Sequence, residues 1–176
     1  MNLYKCYETE RLILKPTTVE DAAFVLELFN TPKWLEYIGD RQVNTIEAAK
    51  DYIESKMMPQ LQRLGYGNYT LIRKTDLCKI GSCGLYDREG LDGIDIGFAF
   101  LPAFEKLGYA FEAATKVKEL ALFEFGLSEI HAITTKENIS SQRLLEKLGL
   151  TCMGIINIPN DDEDLLHYKF SKQSNL

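Results

Sequence analysis

The sequence predicts an α/β domain: one mixed, mostly antiparallel sheet flanked by helices. Three observations predict it. The 176 residues contain no internal repeat, low-complexity block or Pro/Gly/Ser-rich linker, so one domain spanning 1–176 is expected. Short apolar segments separated by turn residues fill the middle of the chain. After Pro102 the apolar residues switch to helical spacing, and helix and strand patterns then alternate.

The elements follow in order. Arg11–Lys15 suits a first strand. Thr17 and Glu20 form a capping box for a helix running toward Asn30, with Val19, Ala22, Ala23 and Leu26 on one face, and Pro32 marks its end. A second helix starts near Asn44 or Thr45 with a stripe of Ile46, Ala49 and Ile53. Pro59 should kink or divide it and Gly65 should stop its continuation. Tyr69–Arg73, Leu77–Tyr86 and Ile94–Leu101 read as a three-strand antiparallel meander, with turns at Lys74-Thr75-Asp76 and Asp87–Gly93. From Gly108 to Phe125, Ala110, Ala113, Ala114, Val117, Leu120 and Ala121 recur at helical spacing, and Gly126 is a natural cap. Ile130–Thr134 is a strand rich in β-branched residues, Ser140–Leu148 a helix closed by Gly149. Two late strands, Leu150–Ile156 and His167–Phe170, flank the acidic turn Asp161–Asp164.

Composition narrows the function. A net charge of -6 argues against non-specific nucleic-acid binding. An acidic surface suits a soluble protein and weakly favours a cationic substrate such as an amine. No apolar run is long enough for a membrane span, and the polar start Met1–Glu10 is unlike a secretory signal, so a cytoplasmic address is expected. Cys6, Cys78, Cys83 and Cys152 include no C-x-x-C pair, and the two histidines lie far apart. Neither a metal centre nor a disulfide framework is expected, and the thiols are expected to be reduced and mostly buried.

The most informative stretch is Ile94–Ala113, where a strand runs into a short loop that opens a long helix. Unpaired amides at a helix N-terminus bind anions, and Gly108 with the small Ala110 would let a pyrophosphate approach the backbone. By itself, G-x-A before a helix is more often helix packing than phosphate binding. A dinucleotide site would need G-x-G-x-x-G after a first strand, which is lacking.

This stretch resembles motif A of the GCN5-related N-acetyltransferase (GNAT) superfamily. Asn138–Gly149 resembles its motif B, N-x-x-S-x-x-x-x-E-K-x-G. Thr9–Leu14 and Trp34–Arg41 resemble the branch containing the ribosomal-protein N-terminal acetyltransferases. The resemblance implies that acetyl-CoA lies where the fourth and fifth strands splay apart. The backbone of Phe98, Ala99 and Phe100 would pair with the pantetheine arm. Amides of Lys106, Leu107, Gly108, Tyr109 and Ala110 would cradle the pyrophosphate. Asn138 would help hold the pantetheine, with Ser141 near the thioester sulfur. The acceptor pocket would come from about Asn30 to Gly67 and the late acidic turn.

Asp95 aligns with the carboxylate that serves as general base in the histone-acetylating branch. An alkyl amine, pKa about 10, is mostly protonated at neutral pH, so a carboxylate must help remove a proton. Asp being short, a water relay is expected; the competing reading is a structural aspartate. Ser141 can protonate the leaving thiolate, or only hydrogen-bond within its helical turn. An amide near Phe98 would stabilise the oxyanion. His131 and His167 read as structural histidines, Phe98, Phe100 and Phe104 as core or tunnel wall, and the acidic run as a solvated turn.

Two residues depart from motif A. Glu105 stands where Arg, Gln or Trp is expected, and Lys106 where glycine is expected. Glu105 puts a negative charge near the pyrophosphate and keeps a second reading open, a non-catalytic member that binds a ligand or partner. For Lys106 the favoured account is an ordinary backbone whose ammonium offsets Glu105 and contacts a phosphate. The competing account is a glycine-like, strained backbone.

Overall fold

The computed structural model describes residues 4–172; Met1–Leu3 of the polar start and the last four residues lie outside the described residues. Eight strands form one sheet in the order β1-β2-β3-β4-β5-β6-β8-β7. They are β1 (Tyr7–Glu8), β2 (Leu12–Pro16), β3 (Asn68–Arg73), β4 (Lys79–Asp87), β5 (Ile94–Phe100), β6 (Glu129–Thr135), β7 (Thr151–Ile156) and β8 (Leu165–Ser171). Every neighbouring pair is antiparallel except β5 with β6, which is parallel. The short β1 precedes the expected first strand, so the expected fourth and fifth strands are β5 and β6.

The early helical region is more divided than expected. After a 3-10 turn at Val19–Asp21 come α1 (Ala22–Phe29) and α2 (Pro32–Tyr37); then come α3 (Ile46–Tyr52), a π-helical turn (Ile53–Met57) and α4 (Met58–Leu64). α1 ends at Phe29 with Asn30 as its cap, just before Pro32 as expected, and Pro32 itself opens α2, where a missing N–H costs nothing. The cap before α1 is Thr18, whose amide donates to Asp21 Oδ2 at 3.0 Å, while the Thr17 hydroxyl is spent on Thr70 at 2.9 Å. The tighter 3-10 turn shifts the phase of α1. Of the expected face Ala22 is buried and Val19 and Leu26 pack against the core, but Ala23 is exposed, and Phe24, Val25, Leu28 and Phe29 supply the rest of the buried side. The division near Pro59 does occur, and Gly65 ends α4 in the left-handed conformation at φ 79°. Leu77, expected in β4, is an exposed turn residue at φ 60°.

α5 (Tyr109–Glu119) continues as a π-helical turn to Glu124, and α6 is Ile139–Lys147. Five of the six small or apolar residues predicted to line the long helix are buried: Ala113, Ala114, Val117, Leu120 and Ala121. They pack on Leu12, Leu71, Leu85, Ile130 and Leu145 in the main core. A second core joins α1, α3 and the π turn through Phe24, Leu28, Ala49 and Ile53. The thiols depart from expectation, since only Cys83 is buried; Cys6, Cys78 and Cys152 lie on exposed connections or the exposed strand β7. Among the described residues no helix is long and apolar enough to cross a membrane.

Candidate active site

β5 and β6 share one register pair, Asp95 with His131, and then diverge. On its other side β5 stays paired with β4, Phe98 to Cys83, Ala99 to Ser82 and Phe100 to Gly81. Beyond Asp95, the side of β5 toward β6 therefore lacks a ladder partner, and Gly97–Phe100 are only half-buried. The gap opens into a cavity of about 650 Å³. An extended, amide-bearing ligand can add to such an edge as a strand would.

Most of the predicted site residues meet in this cavity. Asp95, Phe98, Ala99, Phe100, Lys106, Gly108, Ala110, Asn138 and Ser141 all line it. Ala110, the predicted α5 stripe residue that is not fully buried, belongs to the site instead of the core. Leu107 and Tyr109 lie nearby without lining it: Leu107 is exposed and Tyr109 buried beneath Arg11. The amides of the first turn of α5 have no helical carbonyl to bond and mark its electropositive end.

The loop before α5 takes two left-handed residues, Lys106 at φ 59° and Gly108 at φ 83°. The backbone at Lys106 is thus glycine-like, which corrects the expectation of an ordinary backbone there; the turn into α5 demands it. Glu105 is neutralised by Lys33 of α2 rather than by Lys106. Arg11 holds the loop from the other side: its Nη1 donates to Leu107 O at 3.0 Å and its guanidinium covers the Tyr109 ring at 4.3 Å. It also neutralises Glu112 in the first turn of α5, Nε to Oε2 at 2.6 Å, helped by the Thr9 hydroxyl at 2.5 Å. Burial alone would raise the Glu112 pKa, but Thr9 and Arg11 hold it below the ordinary value. An acidic residue at the anion-binding end of a helix is thereby made compatible with a phosphate. Arg11, Lys33 and Glu112 were not singled out as site residues in the sequence. An acidic residue one turn inside a suspected phosphate loop was a signal that a cation had to come from elsewhere.

Asp95 is 2% exposed. Its Oδ2 accepts long bonds from Arg88, Nη2 at 3.3 Å and Nε at 3.4 Å, and its Oδ1 has no partner. Burial raises its pKa, and the nearby Arg88 and His131 only moderate the rise. Beside it, His131 Nδ1 and His167 Nε2 lie 2.8 Å apart with parallel rings, and His131 Nε2 is 3.1 Å from Glu129 Oε1. The two histidines satisfy each other and do not line the cavity. At the far end Asn138 caps α6, accepting the Ser141 amide at 3.2 Å. That local bond uses the Ser141 backbone, not its hydroxyl.

Phe29, Trp34, Tyr52 and Met57 bring the early helices into the cavity wall. The acidic turn does not line it; Asp164 pairs instead with Lys136 at 3.2 Å and Asn157 at 3.1 Å. Among the described residues no cluster of three or more His, Cys, Asp or Glu is placed to hold a metal.

Comparison with known proteins converges on one family. Residues 11–151 match the acetyltransferase (GNAT) domain model. The uncharacterised N-acetyltransferase YnaD of Bacillus subtilis (strain 168) is 29% identical over 157 residues, 88% of this chain and 89% of that protein. The acetyltransferase of Agrobacterium tumefaciens strain C58 superposes with a TM-score of 0.80 at 21% identity, over 98% of this chain and 99% of the other. RimL, a ribosomal L7/L12 α-N-protein acetyltransferase solved with coenzyme A, gives 0.80 at 15% identity, over 96% and 98%. These last two likenesses concern the fold.

Proposed function

The chain belongs to the GNAT acetyltransferase family, and from that premise we propose that it moves the acetyl group of acetyl-CoA to a primary amine, by direct attack in a ternary complex within one domain. The acceptor is a protein N-terminus or a small-molecule amine. One observation carries the reading: a single cavity joins the open edge of β5 to a buried carboxylate whose Oδ1 has no partner.

The residues divide the work along that cavity. The unpaired backbone of Phe98–Phe100 receives the pantetheine amides. Lys106–Ala110 and the start of α5 receive the pyrophosphate, with Arg11 and Lys33 cancelling the two carboxylates that would repel it. Asp95 takes a proton from the amine, through water because the side chain is short and buried. The freed nitrogen pair attacks the thioester carbon, the C–N bond forms and the C–S bond breaks. The nitrogen's second proton passes, by way of the Ser141 hydroxyl in the cavity wall, to the leaving thiolate, so the serine ends as it began. An amide near Phe98 supports the developing oxyanion. Pairing Glu105 with Lys33 also removes the reason for preferring a non-catalytic member.

Acetyl-CoA should raise the melting temperature and NAD should not. Gly108→Glu should weaken acetyl-CoA binding by at least about tenfold, because the new carboxylate meets the pyrophosphate site. Initial rates of CoA release with an active amine should give intersecting double-reciprocal lines. Parallel lines would overturn the ternary complex, and equal binding by a folded Gly108→Glu would overturn the placement.

A further inference from the structure

We infer that the amine acceptor carries an anionic group, a carboxylate or a phosphate, and that Arg41 and Lys56 receive it. This rests on the acetyltransferase reading and names the substrate class of the same cavity.

The charges lining the cavity do not balance. The anions are all engaged: Glu105 with Lys33, Asp95 with Arg88, and Asp87 with Arg63 at 2.6 Å. Three cations, Arg41, Lys56 and Lys106, line the cavity with no ion-pair partner among the described residues. The protein as a whole has a net charge of -6, yet its functional cavity is left with a surplus of positive charge. A cleft whose wall carries surplus charge of one sign concentrates ligands of the other, and Arg41, Lys56 and Lys106 are exposed to meet them.

Lys106 stands on the loop before α5 and is assigned to the cofactor. Arg41 and Lys56 come from the early helical segment, and both stand on irregular backbone. Arg41 lies between two left-handed residues, Gly39 at φ 100° and Gln42 at φ 55°. The bend is held in place: the Gln42 amide donates to Asp40 Oδ1 at 2.6 Å, and Asn30 Nδ2 donates to Val43 O at 2.8 Å. Lys56 sits inside the π-helical turn Ile53–Met57, whose wider winding rotates its side chains out of the α-helical register of α3. Left-handed non-glycine residues and π turns both recur at functional sites, although the left-handed Leu77 and Asn160 and the π turn at Leu120–Glu124 lie outside this cavity. Here each coincides with an unpaired cation in the cavity wall.

Matched acceptors test this. Acetyl-CoA-dependent CoA release is measured for three pairs: 4-aminobutyrate against its amide, phosphoethanolamine against ethanolamine, and a peptide beginning Ser-Asp-Glu against Ser-Asn-Gln. The anionic member of at least one pair should show a kcat/KM at least about tenfold higher. The pairs separate carboxylate from phosphate and small molecule from peptide. In Arg41→Gln/Lys56→Gln, that anionic-to-neutral ratio should fall toward one, through acceptor KM and with acetyl-CoA KM held. Neutral acceptors equal to or better than anionic ones in all three pairs would overturn the proposal. So would a ratio untouched by the double variant, or an effect confined to acetyl-CoA KM. Failure of the parent protein to bind acetyl-CoA would overturn the acetyltransferase reading, and this inference with it.

Discussion

Asp21 and Asp95 are both buried carboxylates, at 0% and 2% exposure, and they are treated in opposite ways. Asp21, at the foot of α1, is fully supplied. Lys79 lies at 2.6 Å, Lys15 at 3.0 Å, and the Thr18 amide donates at 3.0 Å. Burial pushes its pKa up, and these partners together push it back below the ordinary carboxylate value. Asp95, at the apex of the strand gap, has one long-bonded arginine and an oxygen with nothing to accept from, and burial leaves its pKa raised. A buried anion with all its partners fixes a structure; one with a partner missing is prepared to take a proton.

The largest effect should come from Asp95→Asn. Turnover at neutral pH should fall by about 10²-fold or more with acetyl-CoA binding little changed, and the loss should shrink as pH approaches the amine pKa of about 10. The stability effect has the opposite sign. Because the folded pKa is raised, the stability linked to this group is present at low pH and lost as pH rises through that pKa. Removing the charge should therefore raise the melting temperature at pH 7. An unchanged rate with a lowered melting temperature would make Asp95 a second Asp21.

Asp21→Asn should do the reverse. Stability by urea unfolding at pH 7 should drop by about 2 kcal/mol while the kcat of the folded protein is retained. Asp21 has a depressed folded pKa, so its contribution is present above the ordinary carboxylate value of about 4 and lost as pH falls through the folded one. The gap between parent and variant should close in acid. A persistent gap at low pH would show that packing, not charge, is what Asp21 supplies.

The smallest effect extends the comparison to cations, from the engaged Lys79 to the unpaired Lys106. In Lys106→Gly, relief of left-handed strain, about 1 kcal/mol, is nearly offset by the added freedom of the unfolded chain, about 0.5–1 kcal/mol. Thermal stability should stay within about 0.5 kcal/mol of the parent. Acetyl-CoA binding should weaken by about 1 kcal/mol with a shallower salt dependence, read by titration at two salt concentrations. Tighter binding by the glycine variant would remove the phosphate contact.

What was legible in the sequence was whatever depends on short-range pattern. The strand at Ile94–Leu101 and the small-residue stripe of α5 are local patterns, while the resemblance of Ile94–Ala113 and Asn138–Gly149 to motifs A and B named the predicted residues that line the cavity. Three kinds of feature were not legible. The phase of α1 turned on three residues of 3-10 winding before it. The left-handed backbone at Lys106 was one of two accounts the departure from motif A left open, and the local sequence could not choose between them. The pairing of Glu105 with Lys33 joins residues 72 positions apart, and no local rule couples them. His131 and His167, read as unrelated, stack at 5.1 Å because β6 and β8 are neighbours in the sheet and not in the chain.

That Lys33–Glu105 pair has a consequence for how two ligands in one cavity would sense each other. It ties α2, in the cavity wall, to the loop before α5. Two ligands that both change the state of one such bond are thermodynamically coupled, and the coupling is reciprocal: the factor by which the first alters the affinity of the second equals the factor by which the second alters the first. If phosphate draws Lys33 away from Glu105, α2 is released to meet the acceptor; if the acceptor fixes α2, the cofactor loop is fixed with it. A single ion pair then suffices to couple two adjacent halves of one cavity, whichever ligand arrives first.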